Sequence, residues 1–375
     1  MSAREALRPH DAADVAEILQ TCTRPLEPLG GGSKRSVGRP VDADVLDLTA
    51  LHGIVDYSPA ELVLTARAAT PLAAIEAALH AQGQRLAFEP PDFGVLLESA
   101  AQPTLGGVLA TNAAGSRRVH AGAARDHFLG CAAVDGRGAR FKAGGKVVKN
   151  VTGYDLPKLL AGSWGTLAVM TEVTVRVAPL PEAELTLVVP QLDTEDALQL
   201  MTRALGAPLE VSSAAFDPVQ GCLLRLEGFA ASVAARVAAL REIVGAAEHE
   251  ALDTERSRTR WRAIGSAATF AEWPIVWRIS VPPADSARVL QRLAPERFLL
   301  DWGGGLIWAA YRAADAQRVR GALDAGHATL LKAPRDVRAG GVAIFQPQPP
   351  AVAALGARLK AAFDPLNVLS PQRMS

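Results

Sequence analysis

Three cysteines, Cys22, Cys131 and Cys222, are all that the 375 residues contain. They lie far apart, with no C-x-x-C pair and no histidine at ligand spacing. A self-contained iron–sulfur cluster and a cysteine-type zinc site are therefore excluded, and the free thiols fit a reducing, cytoplasmic setting. Long apolar runs are missing as well. Nothing approaches the ~20 residues that a membrane span requires, and Met1 to Leu7 lacks the apolar core of a secretory signal. There is no charge surplus either: 39 Lys and Arg balance 39 Asp and Glu. A nucleic-acid or polyanion binder needs a basic excess, so that class is disfavoured. What the chain does have is Ala, Val and Leu, with 49% hydrophobic residues. That is ample for a packed interior, and the length predicts two or three domains.

Glycine carries the main signal. Pro28-Leu29-Gly30-Gly31-Gly32-Ser33-Lys34 follows a short predicted strand, 24–29. Unobstructed N–H groups in such a loop can cradle a phosphate, with Ser33 adding a hydroxyl and Lys34 a charge. A plain turn is the other reading of the same residues. A second stretch, 103–115 (PTLGGVLATNAAG), places Thr104 as a helix cap ahead of Gly106 and Gly107. Glycines cost a helix about 1 kcal/mol each relative to Ala. Either a bulky group uses the free N–H groups of this first turn, or a small-residue helix packs tightly on another element. The third stretch is 151–177, with a tight loop at Gly162-Ser163-Trp164-Gly165-Thr166 and a long alternating strand after it. Gly303-Gly304-Gly305 lies between two predicted strands and reads as a hairpin turn with no ligand. No Walker loop is present, because the order is Gly32-Ser33-Lys34, and no glycine run opens a helix in the dinucleotide-binding manner.

Between these stretches the first ninety residues alternate β and α. A helix is predicted over 11–20 with Asp11 as cap, strands over 45–48, 62–66 and 85–88, and a helix over 72–82 with Pro71 at its first position and Gly83 closing it. A hairpin follows at 130–142. After Pro179 and Pro181 the texture becomes βαββα, twice: 185–244, then 275–325, separated by a polar stretch at 253–262. This predicts a largely antiparallel sheet with helices on one face. A last helix, 351–363, leads into an irregular tail.

The glycine-bearing segments, in this order, resemble the vanillyl-alcohol-oxidase/PCMH-type FAD-binding family. PLGGGSK is similar to its pyrophosphate loop, PTLGGVLATNAAG to its second flavin segment, and GAARDHFLG (122–130) to the strand entry that follows. Within that family the likeness is to the FAD-binding E subunits of glycolate oxidases, carried by 144–177 (GGKVVKNVTGYDLPKLLAGSWGTLAVMTEVTVRV) and 345–350 (FQPQPP). The tail AAFDPLNVLSPQRM resembles the family's terminal motif, from which Ser370-Pro371-Gln372 departs. The resemblance implies an α+β fold: a PCMH-type FAD-binding domain of two α+β subdomains (1–180), an antiparallel cap (181–338) and a C-terminal segment returning to the FAD domain (339–375).

It also implies the cofactor contacts: Leu29, Gly30, Gly31, Gly32, Ser33 and Lys34 in the first loop; Pro103, Thr104, Gly106, Gly107, Thr111, Asn112, Gly115 and Ser116 in the second segment; Arg125; then Gly153, Tyr154, Ser163, Gly165, Thr166 and Val173. No histidine stands in or just before the first loop, so the FAD is expected to be non-covalent. No catalytic residue is assigned. His249 and His327, the cap's histidines, each follow a predicted helix and read as exposed or helix-ending, and Tyr154 and Arg125 read as cofactor contacts. The implied partners are a catalytic flavoprotein D subunit and an iron–sulfur F subunit. The implied substrate is a small 2-hydroxy acid, in a cytoplasmic complex that can lie peripherally at the inner membrane. A self-sufficient 2-hydroxy-acid dehydrogenase and a non-catalytic scaffold remain open. A side chain at Gly31 is expected to block the approach of phosphate.

Overall fold

The computed structural model describes residues 6–146 and 153–374. Residues 1–5, 147–152 (VVKNVT, whose last two residues open the third stretch) and 375 lie outside the described residues. The first half runs α1 (Ala12–Thr21), β1 (Leu26–Leu29), β2 (Asp44–Asp47), β3 (Ile54–Ser58), β4 (Val63–Arg67), α2 (Leu72–His80) and β5 (Gln84–Arg85). It continues through α3 (Gly94–Leu97), α4 (Leu105–Thr111), α5 (Arg118–Ala121), α6 (Ala124–His127), β6 (Phe128–Asp135), β7 (Arg140–Gly144), α7 (Leu156–Leu160), β8 (Ala168–Arg176) and β9 (Ala178–Pro179).

Local chemistry sets these boundaries. Asp11 starts α1 by accepting from the Ala13 and Asp14 N–H groups, two of the donors a helix start leaves unpaired. Antiparallel pairing builds a five-stranded sheet in the order β3-β4-β8-β6-β7. β8 alternates in sequence but is buried along nearly its whole length, because the sheet is covered on both sides. Leu105, Val108 and Leu109 of α4 and Ile75 and Leu79 of α2 join Val173 and Val175 in one core, while Val15 and Leu19 of α1 meet Val134 and Val169 in another. Of the strand expected over 85–88, only Arg85 pairs, with Gln84 before it. Leu86 to Phe88 form a turn closed by the Glu89 N–H on the Leu86 carbonyl. Their apolar side chains are buried, but no neighbouring strand offers them a ladder.

The second half holds β10 (Ala183–Val189), α8 (Thr194–Gly206), β11 (Ser213–Asp217), β12 (Gly221–Gly228), α9 (Ala230–Val244), β13 (Glu250–Leu252), α10 (Thr254–Gly265) and β14 (Ile275–Ser280). It then carries α11 (Ser286–Leu293), β15 (Arg297–Asp301), β16 (Leu306–Tyr311), α12 (Ala316–Gly321), β17 (His327–Lys332), α13 (Arg335–Ala339) and α14 (Pro350–Phe363). Eight strands form one sheet, ordered β13-β10-β12-β11-β15-β16-β14-β17, and the two βαββα units meet where β11 pairs antiparallel with β15. Period-two alternation divides its side chains. Leu187, Val189, Phe216 and Leu224 face Ala197, Met201, Val237 and Leu290 of the helices. Val188, Ala215 and Leu223 face the other way, with Trp261 and Ile264 of α10 and with Phe93 and Leu96 of the first half.

Helix α10 occupies the stretch read as polar connection. Asp253 caps it, and its inner face carries only Trp261 and Ile264 as large apolar side chains, beside Ser257 and Gly265. Trp261 Nε1 donates to Thr186 Oγ1 at 2.8 Å and Ser257 Oγ to Glu184 Oε1 at 2.6 Å. A helix docked through hydrogen bonds shows little apolar periodicity. The chain's end returns to its beginning: the Leu26 N–H donates to Val368 O, the Ser370 N–H donates to Leu26 O, and Leu369 bridges Leu26 in parallel, beside the parallel β1–β2 pair. Among the described residues no helix is long and apolar enough to cross a membrane.

Candidate functional site

The chain leaving β1 turns at Gly30 to Lys34 and lies against residues 102–104. The glycines there have different causes. A Cβ on Gly31 would overlap the Gln102 carbonyl, and one on Gly30 would meet Thr104 Oγ1. Gly32 adopts φ +79, the left-handed region open to glycine, and a Cβ there would meet nothing within 4 Å. The glycine at 31 is thus required by the protein's own backbone. The expectation that a side chain there blocks phosphate directly is corrected: it would displace the loop instead.

Thr104 caps α4, its Oγ1 accepting from the Gly107 N–H at 3.3 Å. The paired glycines separate the two readings of this helix. Gly106 packs on β4's exit, where a Cβ would lie 2.7 Å from Ala68 Cβ. Gly107 would meet only Thr104 Oγ1, at 3.1 Å, and it lines the cavity. The N–H groups of Leu105, Gly106 and Val108 already donate to Thr70 O, Ala68 O and Thr104 O. The first turn therefore has no free donors to offer an anion, and of the two readings the tightly packed small-residue helix is the one that fits.

One cavity brings together Leu29, Gly30, Gly31, Gly32, Ser33, Lys34, Thr104, Gly106, Gly107, Thr111 and Gly165, three separate stretches of sequence. It also takes in residues that motif reading passed over: Ala68, Ala110, Trp164, Val169, Met170, Ser370 and Arg373. Arg373 comes from the tail. Its guanidinium donates to Glu27 Oε1 at 2.8 Å and to Lys34 O at 3.2 Å, so the end of the chain braces the loop. Ser370 and Gln372, where the tail departs from the family motif, hold φ +40 and +62, a backbone suited to glycine. Lys34 is buried and makes no ion pair among the described residues. Burial pulls its pKa down to about 8, against the pull of Asp92.

The remaining expected contacts lie elsewhere. The Pro103 carbonyl accepts from the Leu72 N–H. Ser163 Oγ donates to Leu160 O, and Thr166 Oγ1 to Ser163 O, so both hydroxyls shape the loop that carries Trp164 and Gly165. Asn112 ends α4 with φ +48 and accepts from the Arg125 N–H at 3.0 Å. Gly115 and Ser116 meet the cap: Gly115 O accepts from Trp302 Nε1 at 3.0 Å, and Ser116 Oγ donates to Asp301 Oδ2 at 2.6 Å. Tyr154 is 93% exposed, next to Gly153. Val173 points into the sheet's core, where strand alternation puts it. Beyond Lys34, Thr111 and Trp164 a second cavity opens toward the cap's sheet, lined by Arg118, Arg278, Trp302 and His327.

The FAD binding domain family, FAD_binding_4, matches residues 4–144. The chain is 37% identical over 351 residues to the glycolate oxidase subunit GlcE of Escherichia coli, covering 93% of this chain and 92% of that one. The chain belongs to the GlcE family of glycolate oxidase subunits. It is a PCMH-type, FAD-binding oxidoreductase family member, and FAD is its cofactor. The glycolate oxidase subunit GlcD of Bacillus subtilis is 29% identical over 60% of this chain and 47% of its own length. Among solved structures, an alkyldihydroxyacetonephosphate synthase superposes with TM-score 0.69 at 16% identity, over 97% of this chain and 76% of that one. That likeness shows the α+β fold of the GlcE-family chain.

The first cavity fits this cofactor. Three glycine-bearing segments leave a backbone-walled cleft, and the buried Lys34 ammonium that lines it makes no ion pair among the described residues, a lining whose chemistry suits a diphosphate.

Proposed function

We propose that the chain is the FAD-binding subunit of a glycolate oxidase complex, which oxidises glycolate to glyoxylate and passes electrons from flavin to an iron–sulfur F subunit, beside a flavoprotein D subunit. The near full-length likeness to a GlcE subunit carries this reading. Bound FAD supplies the hydride acceptor. In this reading Gly30 to Lys34 hold the diphosphate, Lys34 supplies its counter-charge, and Arg373 fixes the loop. Thr111, Trp164 and Gly165 shape the passage toward the cap. The cofactor is held without a covalent bond. The three-part division at about 180 and 338, and a cytoplasmic complex peripheral to the inner membrane, belong to the same proposal.

A second reading, a self-sufficient 2-hydroxy-acid dehydrogenase, is favoured by the arginine-lined cavity within this chain. Purified chain, assayed with glycolate and an artificial electron acceptor, separates the two. The first reading expects a yellow protein with little turnover alone, and glycolate-dependent reduction once the D and F subunits are co-expressed. Robust turnover by the chain alone favours the second. A colourless protein that cannot be reconstituted with FAD overturns both.

A further inference from the structure

The arginines at the junction of the two halves are of two kinds. Arg85, Arg117 and Arg225 lie 2.6, 3.1 and 2.7 Å from a glutamate oxygen. Arg118 and Arg278 have no such partner: among the described residues neither makes an ion pair. Each guanidinium instead lies 4.8 Å from the centroid of the Trp302 ring. Burial, with Arg118 beside it, brings Arg278 down to about 10. Both side chains are half-buried; partial withdrawal of two guanidiniums from water with no ion-pair partner is costly, and a bound anion relieves the cost.

Both arginines line the second cavity, together with Lys34 and His327, and no aspartate or glutamate lines it. The cap's contribution is fixed by strand register. Ser280 lies opposite His327 and Arg278 opposite Thr329 across β14 and β17, so alternation sets all four on one face. Trp302 is positioned with equal care. It sits at φ +57, and Gly303 and Gly304 follow at +62 and +97. A non-glycine residue held there stores on the order of 1–3 kcal/mol of strain. The bonds of Trp302 to Gly115 and of Asp301 to Ser116 hold it across the junction.

We propose that this cavity is a carboxylate site belonging to this chain, in which Arg118 and Arg278 receive the carboxylate of a small 2-hydroxy acid while Ser280, His327 and Thr329 face the rest of the molecule. The site is assembled from both halves, so the chain binds substrate as well as flavin. The identity of the acid rests on the flavin-subunit reading; the anion site rests on the unpaired arginines.

Oxalate, a redox-inert two-carbon carboxylate, tests it by calorimetric titration into the full-length chain, FAD-loaded and FAD-free, with the flavin absorbance recorded in parallel. The loaded chain should bind oxalate and shift the flavin spectrum. Arg118→Met and Arg278→Met should each weaken binding at least ten-fold without lowering FAD content, and Arg278→Lys should retain most of it. Absence of binding to the loaded wild type, or wild-type affinity retained in both Met variants, overturns the site. Binding to the FAD-free chain that FAD loading abolishes assigns the arginines to the cofactor and overturns it too. A chain that takes up no FAD sinks the flavin reading instead, and oxalate binding to that chain still reports on the arginines.

Discussion

Lys34 is an ammonium enclosed by protein with no carboxylate against it, and burial lowers its pKa from 10.5 to about 8. Between those values the empty folded chain binds fewer protons than the unfolded one, so this group makes stability rise with pH across that window. Ligand binding runs the other way, because a diphosphate prefers the protonated form. FAD affinity should therefore fall as pH passes about 8. Lys34→Met should bind FAD roughly ten- to a hundred-fold more weakly at pH 7, the worth of one charged hydrogen bond (about 1.5–3 kcal/mol), and should show no slope near pH 8. Equilibrium FAD titrations from pH 6.5 to 9.5 measure both, and an unchanged Lys34→Met affinity would remove the lysine from the site. The neighbouring glycines give a second test. Both line the cavity, but a Cβ on Gly106 would abut Ala68 whereas one on Gly107 would meet only Thr104 Oγ1. Gly106→Leu should cost stability, about 1–3 kcal/mol or more of overpacking, while Gly107→Leu should keep the melting temperature and lose FAD. Equal behaviour of the two variants would contradict this assignment. In sequence these glycines are adjacent and equivalent. Only the placement of β4's end beside α4 separates them.

At the scale of elements, what was legible had local causes. Helix α1 follows from its Asp11 cap, the hairpin β6–β7 from its turn at Asp135-Gly136, and the run Gly303 to Gly305 is indeed the turn between β15 and β16. What was not legible depended on partners distant in sequence. Helix α10 hides its face in hydrogen bonds to β10, and β13 and β17 find their ladders only at the sheet's edges. Trp302, a strained turn residue, acquires meaning only when Arg118 and Arg278 arrive beside it. The tail is a case of partial legibility: its return to the FAD half was expected, but its pairing with β1 and the role of Arg373 were not. That guanidinium joins Glu27 to the Lys34 carbonyl. Arg373→Met should leave Glu27 with only the half-exposed Arg35, lower stability by about 1.5–3 kcal/mol, and speed FAD release by loosening the loop. Stopped-flow displacement of FAD reads the second effect, and an unchanged release rate would limit Arg373 to a structural brace.

Across the whole molecule, the cap is held to the FAD half by charge as well as by apolar packing. Arg225 on β12 reaches Glu89 through two bonds of 2.7 Å, and Glu227 on the same strand meets Arg85 and Arg117 from the other half. Burial works against the Glu227 carboxylate, but Arg225, Arg117 and Arg85 overcome it and hold its pKa well below the usual range. Such a group contributes stability above its unfolded pKa near 4.5, and that contribution is lost as pH falls toward the folded value. Arg225→Met removes the shared partner and leaves Glu89, Glu184 and Glu227 crowded at the junction. Breaking a buried pair costs about 3–5 kcal/mol, so urea denaturation at pH 7 should show a loss of that order. The same comparison at pH 5 should show a smaller loss, because carboxylates deprived of their arginine can take up protons there. Since the junction also carries Gly115, Ser116 and Trp302, loosening it should weaken oxalate binding in the second cavity while FAD, held by the first, stays bound. Equal stability of variant and wild type at pH 7 would mean that apolar packing alone joins the halves and that the ion network is incidental to the substrate side of the protein.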